Sequence, residues 1–429
     1  MTAVAVRAPV RASTPGERLS QRKVRLFALL LGVMAAVGPA TIDMYLPSLP
    51  QITTDLGSTD ALVQLTLTGT MLGMGIGQLV IGPLSDTFGR RRPLLIGLLA
   101  HVAASLAIVV APTVAVLGIL RVVQGFGAAA SATIAMAVVR DLFVGVRAAQ
   151  LFSRLMLVVG IAPVVAPSLG SAILRVGSWR AIFVVLALVS TMVVLISWRF
   201  LPETLPPSAR RPVGLASMAG VVAGLVRDRV FVGLVLASGC SFGAVIAYVS
   251  GSPFVLQDGF GLSVQEFGVA FSAGAVGMVV MTQVNVPLLR RFEPGRLLLT
   301  GIIGCLVSTA VLLATALTGA GGLFGVLVPI WSAMAFLALT FPNTPAIALS
   351  RHGEAAGTAS AVMGASQNLV AAAAAPIVGL LGSSAVSLGL VMFGCFAVAL
   401  TLLLFVVRPQ GLKLPADLMR NDRTPIASH

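Results

Sequence analysis

An all-α membrane fold, with twelve transmembrane helices in two pseudo-symmetric six-helix halves, is predicted by three observations. Hydrophobic residues make up 57% of the 429 positions and charged residues only 10%, whereas soluble domains carry about 25% charge; the mean hydropathy is +1.02. Apolar runs recur at the length of about 20 residues that a helix needs to cross roughly 30 Å of hydrocarbon. Basic residues gather in alternate loops between those runs. Disorder, coiled coils and disulfide scaffolds are excluded together. The net charge of +14 would suggest nucleic acid in a soluble chain, but here the basic residues sit in short segments between spans and report topology.

The first 25 residues form a basic N-terminal tail. The apolar run that follows outlasts the 7 to 15 residues of a signal peptide, so the amino end is expected to stay attached. Spans are expected at about 26–46, 61–83, 94–111, 113–139, 150–174, 179–200, 230–256, 265–289, 297–318, 322–349, 356–381 and 385–407. The tail, the even-numbered loops and the C-terminal tail 408–429 hold 25 of the 28 basic residues. Odd-numbered loops hold Asp55, Asp60, Asp258 and Glu266 instead, so both termini are expected to be cytoplasmic. Arg175 and Arg180 fall on the opposite side, and Arg121 falls inside the fourth span.

The segment 201–229, with Pro202, Pro206, Pro207 and Pro212, is the longest polar interruption and is expected to link a half at 26–200 to a half at 230–407. A weak repeat supports the division: Gly82-Pro-Leu precedes Arg90 and Arg91, and Val286-Pro-Leu precedes Arg290 and Arg291. Duplicated bundles place a transporter's site at the midplane between halves. Arginine outnumbers lysine 26 to 2, which suggests GC-rich coding and a bacterial source. Cys240, Cys305 and Cys395 are far apart and apolar in setting, giving neither a disulfide framework nor a metal site.

Once loops and the flanks of the spans are set aside, one carboxylate, Asp43, and one guanidinium, Arg121, remain within the spans. Each costs roughly 2.5–3.5 kcal/mol at a helix centre, so both are functional candidates. Asp43 follows Arg25 by 18 residues, about 27 Å of helix, which leaves two placements: inside the membrane, or at a helix end close to Pro47. An Arg121 near Asp43 would favour the carboxylate and burial would disfavour it, so a conformational change could load or unload a proton. Gln124, one turn after Arg121, faces the same side. His101, alone in the third span, is expected to be a satisfied packing residue, and His352 lies in a loop.

The loop Gly82-Pro-Leu-Ser-Asp86-Thr-Phe-Gly89-Arg90-Arg91-Arg92 combines glycines for close approach and a tight turn with an aspartate placed to cap a helix and pair with arginine. It resembles the loop signature of the major facilitator superfamily, in which this motif latches the cytoplasmic side. Arg121-Val-Val-Gln124-Gly125-Phe-Gly127 is similar to that family's fourth-span motif, whose arginine assists proton transfer. Gly160-Ile-Ala-Pro163-Val-Val-Ala-Pro167-Ser-Leu-Gly170 is similar to its fifth-span antiporter motif, with Ala162-Pro163 in place of the usual Gly-Pro. Asp43-Met-Tyr45-Leu-Pro47, Val139-Arg140-Asp141, Trp179-Arg-Ala-Ile-Phe183, Pro202-Glu203-Thr-Leu and Ser252-Pro253-Phe resemble the bicyclomycin and chloramphenicol resistance branch of the twelve-span drug:proton antiporters.

The resemblance implies proton coupling through Asp43, Arg121 and Gln124, a cytoplasmic gate of Gly82, Asp86, Gly89, Arg90, Arg91 and Arg140, and a hinge of Gly160, Pro163, Pro167 and Gly170. A drug pocket should be apolar with a few polar groups and adaptable side chains; candidates are Tyr45, Gln64, Met136, Met156, Tyr248, Phe336, Asn343, Met363, Gln367 and Asn368. Stripes such as Gly69-x-x-x-Gly73-x-x-x-Gly77 and Ala371 to Ala375 are expected to be helix-packing faces. No phosphate-binding loop, catalytic triad or metal constellation occurs, so neither ATP drive, enzymatic chemistry nor a cofactor is expected. The expected function is a proton-coupled antiporter that exports amphipathic small molecules from a monomer in the bacterial cytoplasmic membrane; the alternative is an exporter of an amino acid, sugar or other metabolite. Expected partners are drug, protons and lipid, with no nucleic acid.

Overall fold

The computed structural model describes residues 21–143, 145–210, 215–352 and 355–412. Most of the two predicted tails lies outside them. The described residues are helical, with no strand among them. Helix α1 (Gln21–Asp43) breaks and resumes as α2 (Leu49–Asp55); α3 (Asp60–Phe88), α4 (Arg91–Val109), α5 (Val114–Leu142), α6 (Gly145–Ile173) and α7 (Trp179–Phe200) complete the first half. The linker contains α8 (Leu215–Arg227). The second half comprises α9 (Arg229–Pro253), α10 (Val264–Leu288), α11 (Pro294–Thr318), α12 (Gly322–Leu337), α13 (Asn343–Ser350), α14 (Ala356–Leu380) and α15 (Ala385–Thr401).

Among the described residues, eleven helices are long and apolar enough to cross a membrane. The expected tenth span, 322–349, is a correction: it is α12, a turn and then α13. Pro342 has no N–H to give to the preceding turn. Side chains add donors at this turn: Asn343 Nδ2 donates to Leu339 O at 2.7 Å, and Thr340 Oγ1 donates to Leu337 O at 2.8 Å beside the backbone N–H groups of Thr340 and Phe341. Within the linker, the apolar α8 follows the polar, proline-rich part.

Short loops at the face opposite the termini are closed by side-chain caps. Thr59 and Thr113 accept from Leu62 N and Val116 N, and Ser263 and Glu266 form a reciprocal capping box on α10; each such cap contributes about 0.5–2 kcal/mol. Large apolar side chains such as Leu106, Ile119, Leu188, Val307 and Phe405 point outward. In lipid that surface needs no cover, and the helices satisfy their own backbones.

The halves meet where α14 runs along α3 and α10 along α6, while α14 also packs on α9. Gly69, Gly73 and Gly77 let α3 lie against α5: a Cβ on Gly69 would come within 2.7 Å of Gly118 O, and one on Gly73 would overlap Val122 O. That stripe is fixed packing within one half. Gly75, turned the other way, faces Ala365 O and Asn368 of the second half.

Candidate functional site

Span 1 stops as a regular helix where Pro47 has no N–H to offer Asp43 O. The Tyr45 N–H turns to Ile42 O at 3.3 Å, which leaves Thr41 O without its helical donor. Arg121 Nη1, from α5, fills that vacancy at 2.9 Å. A cation thereby caps the C-terminal, partially negative end of α1.

Arg121 is fully buried. Its Nη1 also donates to Gln124 Oε1 at 2.7 Å, and its guanidinium lies over the Tyr45 ring at 4.5 Å and the Phe183 ring at 5.8 Å. Gln124 Nε2 donates in turn to Ser105 Oγ on α4 at 2.8 Å. Arg121 Nε and Nη2 have no partner among the described residues. Burying an ion costs several kcal/mol; charge-assisted bonds of about 1.5–3 kcal/mol and a desolvated ring contact of about 2 kcal/mol offset much of that. The two unpartnered donors add a cost that no contact among the described residues offsets.

The glycines of this motif have specific neighbours. A Cβ on Gly125 would overlap Thr70 O of α3, and one on Gly127 would press to 2.8 Å from the His101 Cβ of α4. Gly170 of α6 does the same beside Asp43, where a Cβ would overlap Met44 O. Gly82 and Gly160, by contrast, face open space, so the close approach expected at Gly82 is not made here.

Asp43 is the last residue of α1 and 6% exposed. Asp43 thus sits at the break between α1 and the turn at Pro47, within the apolar segment Leu26–Asp55. Asp43 and Arg121 form no ion pair, because the arginine is held on the Thr41 carbonyl and the Tyr45 face. Among the described residues the Asp43 carboxylate has no hydrogen-bond donor. Tyr248 is stacked on Phe271 at 5.0 Å, and its hydroxyl and that of Ser252, one turn on, are buried without partners.

At the face bearing the termini, Gly89 ends α3 with φ +87°, and a Cβ there would run into the Glu203 carboxylate. Arg90 makes a two-pronged contact with Asp141 at 2.8 and 3.3 Å and reaches Asp86 at 2.5 Å and Ser85 at 2.7 Å. Burial works against this charge, but the bonds to Asp141 and Asp86 outweigh it and hold the guanidinium above its usual range. The cap of α4 expected from Asp86 is supplied by Glu203, which accepts from Arg90 N at 2.8 Å and Arg91 N at 3.3 Å. Arg91 binds Trp198 O. Arg140 is exposed near Gly357 and makes no ion pair among the described residues; its neighbour Asp141 does. Asp141, Glu203, Thr204, which donates to Asp141 at 3.0 Å, and Ser85 are the members sequence reasoning left out. The Val139-Arg140-Asp141 and Pro202-Glu203-Thr motifs contained three of them.

Pro163 and Pro167 lie within an unbroken α6. The pocket candidates divide. Tyr45 is fully buried against Arg121 and Phe183 and bonds Thr66 at 2.9 Å, so it supports the arginine and does not line a cavity. Gln64 joins the halves through Gly379 N at 2.9 Å and Ser383 at 3.3 Å. Asn343 bonds Asn285 at 3.0 Å and Phe336 packs on Gly304, both inside the second half. Gln367 bonds Ser238 at 2.6 Å, again within that half. Asn368, beside Gly75, and Tyr248 face the first half. Met363 is buried, Met136 half-buried and Met156 exposed.

A bundle of apolar helices of this kind, with a buried carboxyl and a buried guanidinium at the break of its first span, is that of a multi-pass membrane protein. Residues 29–376 match the model of the Major Facilitator Superfamily, and the chain belongs to that family. It is 37% identical to the uncharacterized MFS-type transporter YdgK of Bacillus subtilis over 85% of this chain and 91% of that one. It is 32% identical to a bicyclomycin resistance protein homolog of Haemophilus influenzae over 80% and 86% of the two chains, and 32% identical to a chloramphenicol resistance protein of Pseudomonas aeruginosa over 78% and 79%. These are the relatives that the loop and span motifs indicate. Among solved structures, a D-xylose-proton symporter shares the fold at TM-score 0.71 and 18% identity, over 91% of this chain and 99% of that one.

Proposed function

We propose that this transporter exports amphipathic small molecules, antibiotics among them, in exchange for protons, as a monomer in the cytoplasmic membrane with both termini inside. The observation that carries the reading is a buried Asp43 carboxyl with no ion-pair partner, two residues from the Thr41 carbonyl that holds the half-satisfied Arg121. Resistance-named relatives support a drug as cargo, and the alternation of basic and acidic loops supports the orientation.

Asp43 binds a proton arriving from outside, and the drug and that proton oppose each other at the same site between the halves. The conformation described is closed at the face opposite the termini: Gln64, Gln257 and Ser171 bind backbone groups of the opposite half there. With the termini inside, this is the state that loads drug from the cytoplasm and returns the proton to it. The test is proteoliposome transport of chloramphenicol. An imposed proton gradient should drive its accumulation, and Asp43→Asn should abolish it. Gradient-independent movement at the same rate in both proteins would remove proton exchange from the account.

A further inference from the structure

We propose that His101 is a positioning residue for Arg121: a neutral ring with its proton on Nε2 that closes a circuit of hydrogen bonds across three spans, with a fourth held as a branch. The inference deepens the coupling role given to Arg121 above and rests on it. Hydrogen-bond capacities fix the direction of every link. Thr41 Oγ1 gives its only proton to Val37 O at 2.6 Å, so at 2.9 Å it accepts from His101 Nε2. The neutral ring then leaves Nδ1 to accept the Ser190 hydroxyl of α7 at 3.0 Å.

The circuit closes through the backbone of the same histidine. Ser105 Oγ donates to His101 O at 2.7 Å and therefore accepts from Gln124 Nε2 at 2.8 Å; Gln124 Oε1 accepts from Arg121 Nη1, which also holds Thr41 O. All members are buried, His101, Arg121, Gln124 and Thr41 fully so. Thr41 is gripped from both sides, its hydroxyl by His101 and its carbonyl by Arg121, two residues before Asp43. The histidine fixes the position of the broken helix end, and that fixes which Arg121 donors remain free. Gly127 leaves room for the ring's helix, since a Cβ there would crowd the His101 Cβ and N at 2.8 and 3.0 Å.

The test uses the intact protein in nanodiscs, labelled with ¹⁵N histidine and arginine. The His101 spectrum should show a neutral ring protonated at Nε2, and the Arg121 Nη signals should be resolved by hindered rotation. His101→Phe should collapse that resolution, and His101→Gln, which keeps one donor and one acceptor, should restore it. The same pair should move and then restore the midpoint of drug-induced proton release by about one pH unit, a tenfold change in proton affinity, with the melting temperature setting aside any variant that does not fold. A ring protonated at Nδ1, or a folded His101→Phe protein that keeps the resolved Arg121 signals and the wild-type midpoint, overturns the proposal. A wild-type protein that releases no proton with any drug removes the antiport reading, while the ring and arginine spectra still decide whether the circuit exists.

Discussion

Tyr45 and Arg121 explain each other: the ring supplies the face on which a buried guanidinium is tolerated, and the guanidinium occupies the face a substrate would otherwise use. Tyr45→Phe, which loses only the bond to Thr66, should cost about 1 kcal/mol in denaturant melts. Tyr45→Ala should cost about 3–5 kcal/mol as an aromatic truncation and should expose Arg121. Arg121→Lys should not restore transport, because an ammonium is a point charge without the planar fork that holds Thr41 O, Gln124 and the ring together; drug export from cells carrying that variant measures it. The candidates Asp43, Arg121 and Gln124 were legible because charge and amide inside an apolar run are rare and costly. Their pairing was not. The displaced bond that frees Thr41 O depends on the local turn at Pro47, and the role of His101 depends on which span its ring faces.

Elements were legible where apolar length alone decides them. The break of the tenth span was not legible because hydropathy does not register the missing N–H of Pro342, and neither was the break of the first ahead of Pro47. Close helix contacts give a sharper prediction. Gly125→Ala, which meets Thr70 O, should cost about 1–3 kcal/mol of overpacking, whereas Gly160→Ala faces open space and should be neutral in the same melts. The start of α9 carries a pH signature. Burial opposes charge on Asp228, but bonds from Arg351 at 3.0 Å and Val230 N at 2.9 Å outweigh it and hold the carboxyl below its usual 3.8; His352 approaches the same oxygen at 3.1 Å. Because the folded value is the lower one, this stability is present above the unfolded value and is lost as pH falls through the folded one. Melting temperature should therefore drop from about pH 5 downward, and Asp228→Asn should flatten part of that slope; an unchanged slope would remove Asp228 from the account.

At the scale of the whole molecule, hydrogen bonds join the halves mainly at the face opposite the termini, while every ion pair among the described residues stays within one half. The basic loop motif, with Glu203 inserted from the linker, thus braces the first half, and among the described residues no ion pair joins the halves at the face bearing the termini. Gln64→Leu should weaken the closed face and shift spin-label distances across it toward an open state; unchanged distances would contradict that assignment. A single membrane carboxyl also predicts that neutral drugs are exported better than monovalent lipophilic cations, measured as relative resistance. The most direct measurement is substrate-induced proton release from detergent-solubilised protein, comparing wild type with Asp43→Asn. The account predicts release from wild type with a neutral drug and none from the variant while both still bind it. Equal release from both proteins, or none from wild type with binding confirmed, would contradict it.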